Sequence, residues 1–367
     1  MTLDSLGWNV GFAAAFRQFS NDGLLPARVA LEHKHAYELL SPLGEIAAEC
    51  TGRLLHTARS RGDLPAVGDW VAIRLRTPVL GSVPDPADGA DIHAVLPRQT
   101  CFSRRAAGDR DDEQILAANV DTVFLVTGLD QNYSPRRVER YLAAARASGA
   151  EPVVLLNKTD LHADPACAVA EISALARGVP VIALSATCGD GIDALADWLV
   201  PGRTVALLGS SGVGKSTLIN RLLGTARQDI GALSAAVNKG RHTTTRRELI
   251  PLGSGALVID TPGMRELQFW DVDETSVDET FGDIAAQAAG CRFHDCTHGD
   301  EPGCAVRAAL EDGTLDEARW QSYVKLQREQ AYAARRADPK LARAERDRWK
   351  KLLNGVKARE RFERGFE

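Results

Sequence analysis

The pattern of hydrophobic and polar positions changes character along the chain. A short amphipathic stretch, LGWNVGFAAAFRQF, predicts a helix near the N-terminus. From Ala27 to about Ala107, apolar and polar residues alternate in short segments bounded by Gly, Pro or Asp, such as AVGDWVAIRLR and DIHAVLPRQTCFSRR. Period-two alternation at this spacing is typical of a small antiparallel barrel, and a five-stranded OB-type barrel fits the length.

Continuous apolar runs replace this alternation between about Ile115 and Gln268. The runs are VDTVFLVTG, EPVVLLN, VPVIALS, RTVALLG and ALVID, and segments with helical character such as PRRVERYLAAARASG lie among them. Apolar strands that alternate with helices predict a parallel sheet covered on both faces. Ligands of such sheets bind at the carboxyl ends of the strands.

The region after Asp271 has short helical segments around a Cys/His cluster, followed by a long charged helical stretch. Together these patterns predict a multidomain α/β protein. Its predicted parts are an N-terminal helical extension (1–26), an OB-type β-barrel (27–112), a parallel α/β domain (113–270), a C-terminal α-helical domain (271–337) and a basic helical tail (338–367).

Composition narrows the class of protein. A chain of 367 residues with 44% hydrophobic positions can form several ordinary cores. No apolar run is long enough to span a bilayer and the start lacks a leader-like pattern, so we expect a cytoplasmic protein without a membrane partner. Four of the seven cysteines are scattered, which favours reduced thiols. The net charge of −5 does not by itself indicate a nucleic-acid binder.

A glycine-rich loop lies between the apolar strand RTVALL and the helical stretch STLINRLLG. This context is typical of a phosphate-binding loop, whose backbone N–H groups and helix dipole hold phosphates. Lys215 is predicted to reach the β and γ phosphates, and the Ser216 hydroxyl to ligate Mg²⁺. The predicted nucleotide-binding residues of this loop are Gly209, Ser210, Ser211, Gly212, Val213, Gly214, Lys215, Ser216 and Thr217.

A second phosphate-side motif, DTPG, closes the apolar strand ALVID. Asp260 places a carboxylate where it can hold Mg²⁺ through water, and Gly263 places an amide where it can sense the γ phosphate. The tetrapeptide alone is a weak signal, but it becomes a strong one together with the phosphate loop upstream.

Two further loops carry the chemistry of base recognition. NKTD ends the strand EPVVLL, and the Asp160 carboxylate can accept hydrogen bonds from guanine N1–H and the exocyclic amine, donors that adenine lacks. Asn157 is expected to tie neighbouring loops together, and the stem of Lys158 to cover the base. Ser185 and Ala186 follow VPVIAL, and the Ala186 amide is expected to face guanine O6. These loops predict GTP and GDP as ligands.

The order of these motifs along the chain is informative. A Ras-like GTPase has the phosphate loop first and the base-recognition loops last, whereas NKTD and SA here precede GSSGVGKS and DTPG. A circularly permuted GTPase domain is therefore predicted, since the pocket depends on loops meeting at one edge of the sheet. DTPG also runs directly into the Cys/His region, so nucleotide state can be passed to that domain mechanically.

The segment KGRHTTT between the two phosphate motifs is the natural candidate for switch I. Thr244 or Thr245 is expected to ligate Mg²⁺ when GTP is bound, and we favour Thr244. Met264 stands where a Ras-like protein carries a water-orienting glutamine, so His242 is the nearest candidate to orient the water. Lys215 is also predicted to assist hydrolysis. The alternative is an exposed His242 and a partner that organises the water.

The remaining cysteines form a cluster with histidines. Cys291, Cys296, His298 and Cys304 offer three thiolates and one imidazole, which complete a tetrahedral zinc shell without an open position. A structural Zn²⁺ is therefore predicted, with His294 as a competing ligand.

The permuted order NKTD, SA, GSSGVGKS, GRHTTT, DTPG, followed by the Cys/His cluster, resembles the ribosome small subunit-dependent GTPase family, RsgA or YjeQ. The likeness runs from roughly Ala27 to Gln330. Further matching segments are Gly68-Asp69-Trp70-Val71, Val95-Leu96-Pro97-Arg98 and Gly202-Arg203-Thr204.

This resemblance implies an OB-fold, a permuted GTPase domain and a zinc-binding domain. It also implies weak intrinsic GTP hydrolysis that the small ribosomal subunit stimulates, and a checkpoint or factor-release step late in the maturation of that subunit. His242 matches the switch I histidine that is proposed to assist catalysis in this family.

The expected partners are the small ribosomal subunit and its rRNA, bound by a monomer. An RNA-binding GTPase without ribosomal specificity is the nearest alternative. A phosphate-loop kinase would have no use for NKTD, and an RNA-binding module independent of nucleotide would not need Lys215. A metal-delivery GTPase would need a labile metal site, whereas the cysteine cluster has a full ligand set.

Overall fold

In the computed structural model, one eleven-stranded sheet connects a barrel to a parallel α/β sheet. The structure describes residues 1–34, 36–76, 85–105, 113–131, 133–224, 247–260, 274–299, 301–337 and residue 343. Contacts divide the chain into two compact units, Met1–Phe269 and Trp270–Glu367, and each is described by itself. The basic tail predicted for 338–367 lies outside the described residues, apart from Arg343.

The N-terminal barrel has five strands, as the alternating pattern predicted. They are β1 (Leu25–Glu32), β2 (Tyr37–Ser41), β3 (Gly44–Cys50), β4 (Trp70–Leu75) and β5 (Ala90–Val95), with helix α2 (Gly52–Thr57) after β3. Pairing of β1 with β4 closes the barrel. The inward positions are fully buried, for example Val29, Leu39 and Ile46, because alternate residues of each strand face the core. The expected OB-type barrel is confirmed.

A hairpin outside the barrel follows β5. It consists of β6 (Cys101–Arg105) and β7 (Glu113–Ala118), which pair antiparallel in a sheet of their own. The alternating segment DIHAVLPRQTCFSRR therefore contains two strands that belong to different sheets. Periodicity could not separate them, since both strands are half buried and only Pro97 interrupts the pattern.

Six strands form the second half of the large sheet. They are β8 (Thr122–Gly128), β9 (Glu151–Asn157), β10 (Val181–Ala183), β11 (Thr204–Leu208), β12 (Glu248–Pro251) and β13 (Leu257–Asp260). Their spatial order is β10-β9-β8-β11-β13-β12, with every pair parallel except β12 and β13. The helices are α3 (Pro135–Ser148), α4 (Pro165–Ala176) and α5 (Lys215–Leu223), and the predicted parallel domain is confirmed.

Local sequence explains where these helices begin and end. Pro135 occupies the first turn of α3, and Gly149 ends that helix at a φ of 80°. The Asp164 side chain caps α4 by accepting from the Cys167 N–H. GIDALADWL forms only a short 3-10 helix, Ile192–Leu195.

The two matching segments in the barrel contact each other. The buried Asp69 carboxylate accepts from Arg98 at 2.8 Å and caps the preceding turn by accepting from the Ala66 N–H. Burial raises the pKa of Asp69, and the hydrogen bonds and charge of Arg98 oppose that rise. Gly68 has a φ of 93°, and a Cβ there would lie 2.1 Å from the Ala118 carbonyl oxygen, so only glycine fits.

Arg28 joins the N-terminal extension, the barrel and the segment that leads into the parallel sheet. Its side chain is 1% exposed, and it donates to the carbonyl oxygens of Leu6 at 2.5 Å, Gly68 at 3.1 Å and Asn119 at 2.9 Å. Desolvation lowers the pKa of Arg28 to about 10, although Asp121 and Asp69 counteract the shift. The guanidinium is therefore charged at neutral pH and satisfies three backbone acceptors at once.

The N-terminal extension packs on the barrel through aromatic rings. Its helix α1 (Val10–Phe16) lies between two 3-10 segments, Asp4–Leu6 and Arg17–Asp22. The Trp8 ring meets Trp70 edge-on at 4.6 Å between centroids. At Gly202 a Cβ would lie 2.4 Å from the Asp4 carbonyl oxygen, so the extension also touches the turn that leads into β11.

The C-terminal unit is helical, as predicted. Its helices are α6 (Glu274–Thr280), α7 (Gly282–Ala288), α8 (Ala305–Glu311) and α9 (Glu317–Ala337). Phe281 and Tyr323 pack at its centre, and Arg319 lies over the Phe281 ring and binds the Asp283 carboxylate with two hydrogen bonds. Within the described part of the chain, no helix has the length and hydropathy of a membrane span.

Replacement of Arg28 tests the junction. We expect Arg28→Ala to lower the free energy of unfolding by about 3 to 5 kcal/mol, because three buried carbonyl oxygens lose their donor. Urea unfolding followed by tryptophan fluorescence measures this, since Trp8 and Trp70 lie at the junction. The exposed Arg53→Ala serves as the control, with an expected change within about 0.5 kcal/mol. Equal losses in the two variants would contradict the role of Arg28.

Candidate functional site

The predicted nucleotide motifs meet at one edge of the parallel sheet. Strands β8, β9, β10, β11 and β13 all point the same way, so their carboxyl ends lie side by side. Gly128 at the end of β8 is in register with Asn157 at the end of β9. The loops NKTD, SA and GSSGVGKS and the residue Asp260 each follow or end one of these strands. This edge is the place where parallel sheets bind ligands.

The phosphate loop passes close to its neighbours. At Gly209 a Cβ would lie 2.3 Å from the Val126 carbonyl oxygen, and at Gly214 it would lie 2.3 Å from Asn157 Nδ2. These two glycines therefore allow the loop to fit against β8 and β9. Lys215 begins α5, and its Nζ donates to the carbonyl oxygens of Gly209 at 2.6 Å and Ser210 at 2.7 Å.

Asn157 holds two loops together. Its side chain is buried, with Nδ2 donating to the Val213 carbonyl oxygen at 2.8 Å and Oδ1 accepting from the Ala186 N–H at 2.9 Å. One amide thus connects the phosphate loop to the SA loop. The Ala186 N–H, which the sequence assigns to guanine O6, already has a protein acceptor here.

The other residues of the base-recognition motifs also contact one another. Ser185 Oγ donates to Asp160 Oδ1 at 2.5 Å, and Asp160 is otherwise exposed. Lys158 has a left-handed backbone with φ of 67°, and its Nζ contacts Asp130 Oδ2 at 2.6 Å. The exposed Asp160 carboxylate can accept from a base at this edge, while Ser185 fixes its orientation.

The structure places most, though not all, of the remaining predicted residues. Ser216 and Thr217 lie in the first turn of α5, and Ser211 and Gly212 lie exposed in the loop before it. Asp260 ends β13, the strand adjacent to β11, and its carboxylate and the Ser216 hydroxyl are the hard oxygen donors that Mg²⁺ prefers. His242, Thr244 and Gly263 lie outside the described residues.

Sequence reasoning missed two side chains that contact the predicted nucleotide motifs. Asp130 follows the end of β8 and binds Lys158, and Arg137 on α3 donates to Ser210 Oγ at 3.3 Å. The rule that ligands bind at carboxyl ends of strands could have indicated Asp130, because it lies two residues after β8. No local signal marks Arg137, which comes from a helix.

The four predicted zinc ligands converge in the C-terminal unit. One ligand atom from each of Cys291, Cys296, His298 and Cys304 lies within 4.8 Å of all the others. His294 is 99% exposed and stands apart, so it does not compete. The loop is held in shape by a bond from the Arg292 N–H to the Gly303 carbonyl oxygen.

The distances in this cluster suit a tetrahedral zinc ion. Cys291 Sγ lies 3.9 Å from Cys304 Sγ, and both sulfur atoms lie 3.5 Å from His298 Nδ1. Tetrahedral bonds of ordinary Zn–S and Zn–N length require separations of about 3.8 Å and about 3.6 Å, respectively. The residues present therefore fit the metal that their chemistry indicates.

Surrounding groups favour a thiolate at Cys291. Desolvation acts to raise the pKa of Cys291, but hydrogen bonds from the backbone N–H groups of Val306 and Ala305, together with those of the Cys304 and Cys296 side chains, lower it. The two backbone groups belong to the first turn of α8, where the helix dipole also stabilises negative charge. The His298 ring packs edge-on against Trp320 at 5.7 Å, which fixes its orientation.

The strand order and the loops at this edge define a class of protein, the circularly permuted P-loop GTPases. The phosphate-loop strand β11 lies at the centre of the sheet, although β8, β9 and β10 precede it in the chain. Comparison with known proteins gives the family. Residues 95–270 match the model of the RsgA GTPase family.

Full-length relatives agree with this family match. The chain is 68% identical to a protein of Opitutus terrae described as small ribosomal subunit biogenesis GTPase RsgA, and the match covers the whole of both chains. A Syntrophotalea carbinolica protein of the same description is 47% identical over 91% of each chain. The crystal structure of YjeQ from Thermotoga maritima matches with TM-score 0.60 and 28% identity, covering 84% of this chain and 98% of that one. The chain belongs to the RsgA family and is a GTP hydrolase.

Replacement of Asn157 tests the link between loops. We expect Asn157→Ala to weaken GDP binding by about tenfold or more, because two buried backbone groups lose their partner and the loops separate. Isothermal titration with GDP measures the affinity.

A matched control is Asn119→Ala. Asn119 is also buried and bridges two backbone groups, Gly68 and Gln99, but it lies away from the site. Both variants should lose stability, and only Asn157→Ala should lose GDP affinity. A similar loss of affinity in both would mean that Asn157 acts through stability alone.

Proposed function

We propose that this GTPase binds the small ribosomal subunit and hydrolyses GTP late in its maturation, as an assembly checkpoint or a factor-release step. The observation that carries the proposal is the full-length, 68% identity to a relative described as a small ribosomal subunit biogenesis GTPase. The barrel supports contact with rRNA, because OB-type barrels commonly bind oligonucleotides on an open face. The protein acts as a monomer in the cytoplasm.

The nucleotide occupies the edge of the parallel sheet. Asp160 accepts from the guanine N1–H and amine, while Asn157 and Ser185 hold its loop in place. The backbone of the phosphate loop and Lys215 bind the β and γ phosphates, and Lys215 exchanges its loop carbonyl partners for phosphate oxygens. Mg²⁺, when bound, neutralises phosphate charge, and Ser216, Asp260 and Thr244 supply its oxygen ligands.

Hydrolysis needs a group that positions water. Met264 cannot do this, so His242 on switch I takes that part, and Gly263 senses the γ phosphate. Contacts supplied by the small subunit position the His242 imidazole, and positioning of this kind contributes several kcal/mol to catalysis. Stimulation by the subunit follows from this arrangement.

Steady-state GTP turnover tests the assignment. We expect purified small subunits to raise the rate of the wild type more than tenfold, and His242→Ala to lose most of that stimulation while it retains GTP and subunit binding. Large subunits serve as the control. Equal stimulation by both subunits would favour an RNA-binding GTPase without ribosomal specificity. Full stimulation of His242→Ala would move the water-positioning role to the ribosome.

The Cys/His cluster holds one structural Zn²⁺. Three thiolates and an imidazole fill a tetrahedral shell, which leaves no position for a reacting water. The metal thus shapes the loop between α7 and α8 and does not take part in hydrolysis. The domain limits given from sequence, including 271–337 for this part, remain a prediction.

Metal analysis tests the zinc site. We expect about one zinc per purified chain, since a complete ligand shell binds tightly and drives local folding. Cys296→Ser should reduce the zinc content and expose residues 291–304 to protease, without a change in GDP affinity. Cys167→Ser, at an exposed cysteine outside the cluster, is the control. A zinc-free wild type that is equally resistant to protease would refute the site.

A further inference from the structure

Arg221 lies on α5, the helix that begins in the phosphate loop, yet its side chain reaches the SA loop. Its Nε donates to the Ala186 carbonyl oxygen at 3.2 Å, and its Nη2 donates to the Thr187 carbonyl oxygen at 2.5 Å. The guanidinium also lies against the backbone of Gly189, where a Cβ would be 3.4 Å from Cζ. One side chain thus binds two consecutive carbonyl groups of the loop that follows β10.

The SA loop depends on outside contacts for its position. Within the loop, the Ser185 N–H donates to the Asp190 carbonyl oxygen and the Gly189 N–H to that of Ser185. These bonds close the loop on itself but do not fix it to the rest of the site. Asp160, Asn157 and Arg221 supply side-chain contacts from outside the loop, in addition to the core packing of Leu184 and Ala186.

These contacts form a closed ring around the nucleotide edge. The phosphate loop contacts Asn157 through Val213, Asn157 contacts the SA loop through Ala186, and Arg221 returns from the SA loop to α5. Helix α5 is continuous with the phosphate loop, since Gly214 caps it. Asn157 and Arg221 are therefore two separate links between the phosphate side and the base side.

We propose that Arg221 is a positioning residue for guanine specificity, which it exerts by holding the Ala186–Thr187 segment where the Ala186 N–H, besides donating to Asn157 Oδ1, also faces the O6 edge of the base. The inference rests on the guanine site proposed above. Arg221 does not touch the base, and it acts through the loop. Without it the SA loop keeps its links to NKTD and β9 and the core packing of Ala186 but loses its side-chain bonds to α5, so the distance between phosphate loop and base loop is less well fixed.

The planar fork of arginine suits this role. Nε and Nη2 point to the same side of the guanidinium, which matches two neighbouring acceptors. A lysine would carry the same charge but could not present two donors in fixed geometry. The geometry of the contact, more than the charge, should therefore determine the effect.

Nucleotide selectivity of the full chain is the test. Affinities for GDP, IDP and ADP are measured by calorimetry for the wild type, Arg221→Ala, Arg221→Lys and Asp160→Asn. We expect Arg221→Ala to weaken GDP and IDP alike, by about fivefold to tenfold, because both bases carry O6 and exposed hydrogen bonds contribute modestly. Its ADP affinity should stay unchanged, so the preference for guanine over adenine falls. Asp160→Asn should instead weaken GDP more than IDP, which lacks the exocyclic amine.

Arg203→Ala is the matched control. Arg203 also makes polar side-chain contacts, to Thr122 and Glu151, but at the opposite edge of the same sheet. The Arg203→Ala variant should have a lower free energy of unfolding but the same nucleotide preference as the wild type.

The outcomes separate the two proposals. Equal weakening of GDP and ADP in Arg221→Ala, or full GDP affinity in Arg221→Lys, would overturn the positioning role. A wild type that binds ADP as tightly as GDP would overturn the guanine site itself. A wild type selective for GDP whose selectivity survives in Arg221→Ala would overturn only the inference about Arg221.

Discussion

The buried amide of Asn157 is the interaction on which the nucleotide edge depends. Its two hydrogen bonds hold the loops after β11 and β10 in fixed relation to the end of β9. An amide is suited to this position because it offers a donor and an acceptor on one planar group. Gly214 lies so close to Asn157 Nδ2 that a Cβ would not fit there, so a glycine at this position is needed for the same contact. The loops can therefore come from any order along the chain, provided that their strands lie side by side.

This constraint permits circular permutation of the chain. The strands β8, β9 and β10 come first in the chain and the phosphate-loop strand β11 comes later, yet β11 pairs with β8 in the middle of the sheet. The site is thus built by contacts across the sheet and not by chain connectivity. The barrel continues the same sheet beyond its β12 edge, where β1 pairs with β12. Arg28 links the N-terminal extension, the turn before β4 and the segment between β7 and β8 through three carbonyl oxygens.

The fold class and the motif loops could be predicted from the sequence, because both depend on local patterns of residues. Apolar strands that end in NKTD, SA, GSSGVGKS and Asp260 can be read without knowledge of their neighbours. The hairpin β6–β7 was not separated from the barrel, since its pairing depends on a partner strand and not on its own periodicity. The roles of Arg28 and Arg221 could not be predicted from the sequence for the same reason. Arg28 bonds to Asn119, 91 positions away, and Arg221 bonds to Ala186, 35 positions away, and no spacing rule connects such residues.

Permutation also determines which elements follow the KGRHTTT and DTPG segments along the chain. The segment that contains KGRHTTT continues into Arg247 and β12, whose first residue Glu248 is in register with Leu31 of the barrel. The Arg247 guanidinium donates to the Ile115 carbonyl oxygen of the hairpin, and burial lowers its pKa, so the start of β12 is anchored to both barrel and hairpin. The DTPG segment begins at the end of β13 and continues in the chain toward the C-terminal unit. Each segment is thus covalently joined to an element beyond the sheet edge, KGRHTTT to the strand that pairs with the barrel and DTPG to the part of the chain that leads to the C-terminal unit.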